Sequence, residues 1–123
     1  MINHELLHDE GILLLRPKGP IQAGDFESVA KSVDPYIERT GGLRGVLIEA
    51  EAFPGWDSFA AVMSHLRFVR DHHQVIAKVA AVSDSTFLSF APQLAKHFVK
   101  AEVRHFNVAD RASALAWLRQ KGQ

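Results

Sequence analysis

Two carboxylates, Glu49 and Glu51, alternate along the run that contains Val46-Leu47-Ile48, so in an extended strand they point the same way. Such a pair does acid–base work only when burial or a neighbour drives the two proton affinities apart. No partner groups accompany them. The chain has seven histidines. His4 and His8 can share a strand face, His65 and His72 share a helix face, and His72-His73 falls at a helix end where a cation is favoured. A metal site needs three or four converging ligands in a spacing such as HExxH, and none occurs. Glycine-rich phosphate loops and a GxSxG nucleophile elbow are missing as well. The chain has no cysteine, which removes thiolate nucleophiles, disulfides and Cys-based zinc sites together. No catalytic residue, metal or cofactor is assigned, and the expectation is a non-enzymatic protein.

The densest chemistry is apolar. In the segment that opens at Trp56, the residues Phe59, Val62, Met63, Leu66 and Val69 form one helical face, expected to pack on a sheet. Phe68 and Ala61 fall on the opposite side. A helix apolar on both sides is either buried twice or exposes hydrophobic surface. Phe87, Leu88, Phe90, Leu94 and Phe98 enrich the next helical stretch in the same way. Where two such segments meet they can enclose an apolar pocket. The competing readings are that these aromatics are ordinary core, or that they form a surface between two copies of the chain.

The elements that must position these residues follow from periodicity. Gly11 to Pro17 reads as a strand around Ile12-Leu13-Leu14-Leu15, with a short strand near Glu5 to His8 pairing back on it. A helix opens at Asp25 as N-cap, with Phe26, Val29, Val33, Tyr36 and Ile37 inward. Pro35 is expected to kink or split it, and Gly41-Gly42 ends it. Strands follow at Arg44 to Ala52, Val75 to Val82 and Glu102 to Phe106. Helices are expected from Trp56 to His72, in a stretch ending near Val99 that Pro92 interrupts, and from a cap at Asp110 to Arg119. Alternation of strands and helices points to a largely parallel sheet with an antiparallel first hairpin.

Composition sets the outer bounds. A chain of 123 residues, 47% hydrophobic, is expected to form one domain over 1–123 with a core that needs no disulfide or metal. Lys+Arg and Asp+Glu both number 14 and are interleaved, so the basic stripe of a nucleic-acid binder is missing. The opening Met1 to Glu10 does not read as a secretory signal, and no apolar run approaches the roughly 18 residues of a spanning helix. A cytoplasmic protein is expected.

Four stretches together resemble the SpoIIAA-like branch of the STAS superfamily. They are Gly11 to Pro17, the Phe53-Pro54-Gly55-Trp56 loop, Lys78-Val79-Ala80-Ala81-Val82-Ser83-Asp84, and Glu102-Val103-Arg104-His105-Phe106 followed by Ala114 and Trp117-Leu118. The resemblance implies an α/β fold, a STAS-like mixed sheet of four to five strands with helices packed against it. It also implies no established enzymatic activity, and a role in binding apolar ligands or associating with membranes. On that reading Trp56, Phe59, Met63, Phe68, Phe87 and Phe90 face a small apolar molecule, a lipid or a membrane surface. Phosphorylatable STAS domains carry an Asp-Ser pair at the start of the helix after the second long strand, and Asp57-Ser58 stands in that place. The small residue and glycine that normally follow are replaced by Phe59-Ala60, so Ser58 reads first as a helix N-cap. A switch at Ser58 in a protein-interaction domain of the anti-sigma-factor-antagonist kind is the alternative.

Overall fold

The computed structural model describes residues 2–50, 58–83 and 102–120. The elements are β1 (Ile2–Leu7), β2 (Ile12–Pro17), α1 (Asp25–Thr40), β3 (Leu43–Glu49), α2 (Phe59–His72), β4 (Ile76–Val82), β5 (Glu102–Phe106) and α3 (Arg111–Arg119). Single 3-10 turns at His73–Val75 and Val108–Asp110 lead into β4 and α3. The strands form one five-stranded sheet in the order β1-β2-β3-β4-β5. β1 runs antiparallel to β2, and the remaining neighbours are parallel. This is the mixed α/β sheet that the alternation implies.

Both sheet faces are covered, which is why β2 reads as an unbroken apolar run instead of an alternating one. Leu13 and Leu15 turn to one side and pack with Val46, Val79, Phe26, Val29 and Val33 of α1, and Val69 of α2. Ile12 and Leu14 turn to the other, against Leu47, Ala80 and Val82 and beneath Ala114, Trp117 and Leu118 of α3. Gly45 lies in β3 directly under α3. A Cβ there would come within 2.7 Å of Leu118 Cδ2 and 3.2 Å of its Cβ and Cγ, so the glycine sets how closely α3 approaches the sheet.

Three local expectations are corrected. α1 continues through Pro35 without a break. Pro35 and Lys31 are both exposed, so the turn in which proline removes a donor lies on the solvent side of the helix. Gly24, not Asp25, is the N-cap; Asp25 instead accepts the Gln22 amide at 2.7 Å and closes the turn before the helix. α2 is rotated from its expected setting. Ala61 and Val69 are buried and Phe68 packs against the core, whereas Met63 and Leu66 are 40% and 42% exposed. Apolar spacing alone cannot fix that rotation, because Phe68 is drawn inward by rings on α1 and by His72.

Candidate functional site

A groove of about 160 Å³ runs between α1 and α2, bordered by Phe26, Ala30 and Asp34 on one side and Ser64, Phe68 and His72 on the other. Sites that enclose a drug-sized ligand hold roughly 300–1,000 Å³. The groove therefore has room for a chain segment or a single ring. Glu27, Arg67 and Asp71 stand at its rim. Four rings form a ladder beside it, with the middle pair tilted by 35°. His65 lies 4.7 Å from Phe26, Phe26 is 5.0 Å from Phe68, and Phe68 is 4.0 Å from His72 with planes 16° apart. Helical spacing produces this ladder: residues 65, 68 and 72 project from successive turns of α2 toward Phe26. Ser64 Oγ donates to the Ala23 carbonyl at 2.7 Å and ties α2 to the turn before α1.

On the outward side of α2, Met63 and Leu66 sit one turn apart, with the exposed Arg67 and Arg70 beside them. Exposed apolar side chains flanked by basic ones are the arrangement of helices that lie in a membrane interface. Of the residues assigned to ligand or membrane contact, Phe68 is half-buried on the groove and Met63 faces out. Trp56, Phe87, Phe90 and the side chain of Phe59 lie outside the described residues, as do Glu51 and Asp57. Ser58 is exposed, and its Oγ accepts the Ala61 amide at 3.2 Å, so it caps α2.

Glu49 is held as a paired carboxylate. Its Oε1 accepts Arg16 Nε at 3.0 Å and Arg111 Nε at 3.1 Å, from β2 and α3. Burial works against the Glu49 charge. The hydrogen bonds and positive charges of Arg111 and Arg16 outweigh it and hold the carboxyl below its ordinary value of 4.5. A general acid needs the opposite shift. The depressed value means that Glu49 stabilises the fold above pH 4.5, and that this contribution is lost as the pH falls through the lower folded value. Glu49→Gln is accordingly expected to be less stable than the wild type at neutral pH. The gap in urea midpoint should narrow below about pH 4, and a gap that stays constant would contradict the assignment.

The histidines disperse to separate duties. His4 Nε2 is 2.9 Å from Ser32 Oγ, His105 Nε2 is 3.1 Å from Ser83 Oγ, and His72 joins α2 to α1. Among the described residues no group of three or more His, Cys, Asp or Glu side chains could hold a metal ion. No helix among them is long and apolar enough to cross a membrane.

Two features escape sequence reasoning. Lys78 is buried, and its Nζ donates to the carbonyls of Trp117 and Gln120 at 3.0 and 3.2 Å, closing the C-terminal turn of α3. The one hint is a lone cation inside the apolar run Ile76-Ala77-Lys78-Val79-Ala80. The His72–Asp34 bond joins residues far apart in sequence and leaves no local signal.

A comparison with curated proteins finds no match. Among solved structures, an uncharacterized protein of the DUF3478 family with a SpoIIAA-like fold, from Shewanella loihica PV-4, superimposes with a TM-score of 0.69 at 22% identity. The match covers 96% of this chain and 92% of that one, and it carries the fold alone. The family model described as SpoIIAA-like matches residues 12–119, from the first core residue of β2 to the end of α3. With the sheet order and both helical layers in place, the chain belongs to the SpoIIAA-like family.

Proposed function

We propose that this SpoIIAA-like domain is a non-enzymatic binding module for an apolar small molecule or a lipid, peripheral at a membrane surface when it engages one. The observation that carries the reading is the two-sided chemistry of α2. Its inner side lines a groove with Phe68, and its outer side exposes Met63 and Leu66 beside Arg67 and Arg70. An acyl segment in the groove and a helix face resting on headgroups use the two sides at once.

The test separates the sides. Phe68→Ala is expected to weaken binding of the apolar dye Nile red about tenfold, the loss of roughly 1.4 kcal/mol of ring contact. Met63→Glu with Leu66→Glu should leave dye binding intact and abolish co-sedimentation with vesicles of phosphatidylglycerol. If neither dye nor vesicles bind the wild-type protein, the reading fails. A second reading rests on Ser58, exposed at the start of α2, where a phosphate would meet the helix N-terminal dipole. It makes the domain a phosphorylation-switched interaction module of the anti-sigma-antagonist kind. Intact-mass measurement after incubation with candidate partner kinases should then show one added phosphate that Ser58→Ala removes.

A further inference from the structure

The side chain of His72, the last residue of α2, is 10% exposed. Its Nε2 lies 2.7 Å from Oδ1 of Asp34 on α1, and its Nδ1 lies 2.7 Å from the carbonyl oxygen of Phe68 on its own helix. A backbone carbonyl has no hydrogen to give, and an ionised carboxylate has none either. A neutral imidazole carries one N–H and one lone pair. In either neutral tautomer, one contact would set a lone pair against an oxygen at hydrogen-bond distance. Only the imidazolium donates at both ends. The ring also lies flat on Phe68, with centroids 4.0 Å apart, a position that favours a cation over the phenyl face.

We propose that His72 is a proton-operated latch on the α1–α2 groove. Protonated, it ties the last turn of α2 to the middle of α1 with both bonds made. Deprotonated, it releases one of them, either the tie to Asp34 on α1 or the bond to the Phe68 carbonyl, and the end of the groove is held less tightly. The other charged or titratable groups at the groove are Glu27 and Asp34 on α1, Arg67 and Asp71 on α2, and His65 at the far end of the ring ladder against Phe26; Asp71 is engaged by Arg70 at 3.0 Å. No titratable group of the sheet borders the groove among the described residues. The regulatory part rests on the reading of the groove as an apolar-ligand site, and pH is then what opens it.

The test begins without a ligand. Proton–nitrogen correlation spectra of histidine-labelled protein near pH 6 should show two slowly exchanging ring N–H signals from His72, and none from the exposed His8. Near pH 8 one of the two should be lost. Asp34→Ala should remove the Nε2–H signal and keep the Nδ1–H signal; the Asp34 side chain is 55% exposed, so the variant is expected to fold. A single ring N–H at both pH values overturns the latch, whatever the groove binds. Stopped-flow entry of Nile red is then expected to speed up about threefold or more from pH 6 to pH 8 in the wild type, as the open form becomes populated, and to be flat in Asp34→Ala. Two ring N–H signals with no dye uptake at either pH would keep the proton bridge and overturn the groove's role as a site.

Discussion

Trp117→Ala is expected to lower the unfolding free energy by about 3–5 kcal/mol. Trp117 is buried at 6% exposure in α3, over the sheet face that α1 and α2 leave free. Lys78 Nζ and the Arg104 guanidinium lie 5.2 and 5.0 Å from its ring centroid, and Phe106 packs beside it at 5.8 Å. Removing the indole opens a cavity that these charged neighbours cannot fill and takes away the aromatic face on which both cations rest. Domains of this size have about 5–15 kcal/mol in total, so roughly a fifth or more of the stability is at stake. Trp117→Phe keeps an aromatic face and should recover at least half of the loss. Urea denaturation reads both; the midpoint should fall while the slope stays near the wild-type value. A Trp117→Ala midpoint unchanged from wild type would mean that α3 is not seated as described.

Gly45→Val is expected to destabilise by about 3 kcal/mol, for the opposite reason. Truncation leaves a void, whereas a valine here meets Leu118 before α3 reaches its seat. The Leu118 Cγ and its methyl can turn away about χ1, but the contact at 3.2 Å with Leu118 Cβ is relieved only by moving the helix. Coupling to Leu118 decides the matter. Leu118 is fully buried, so Leu118→Ala alone should cost roughly 2–5 kcal/mol. The double variant should be better than the sum of the two by about 1–2 kcal/mol, because the valine fills the space the leucine leaves. Strict additivity would show that the clash is relieved elsewhere.

How much of this was legible in the sequence depends on the range of the cause. β2 and β5 lie where their apolar runs and flanks put them, and Gly41 ends α1 in a left-handed turn (φ 91°), with its amide on the Ile37 carbonyl. These are local effects of backbone and side-chain type. The antiparallel first hairpin and the parallel remainder follow from loop length and alternation, which are nearly local. The rotation of α2 was not legible. Its wheel offers two apolar arcs, and the choice between them depends on Phe26 across the groove and on Asp34 waiting for His72. Pro35 misleads because the cost of a helical proline depends on whether the orphaned carbonyl meets water, and exposure is a tertiary property. Lys78 escapes reading for a similar reason: a charge in a buried strand is tolerated where the end of α3 supplies two carbonyls. For the site, the sequence pointed to the aromatic helix and away from Glu49. It set Phe68 on the side away from the sheet, whereas the ring packs against the core beside the groove.

The central claim is that the two sides of α2 bind apolar matter. Its most direct test is a titration of the nitrogen-15-labelled protein with dodecylphosphocholine below its micelle concentration, followed residue by residue through the backbone amides. The account predicts shifts concentrated on residues 26–34 of α1 and 63–72 of α2, with the amides of α3 unmoved. Shifts on α3, or none at all up to millimolar detergent, would contradict it.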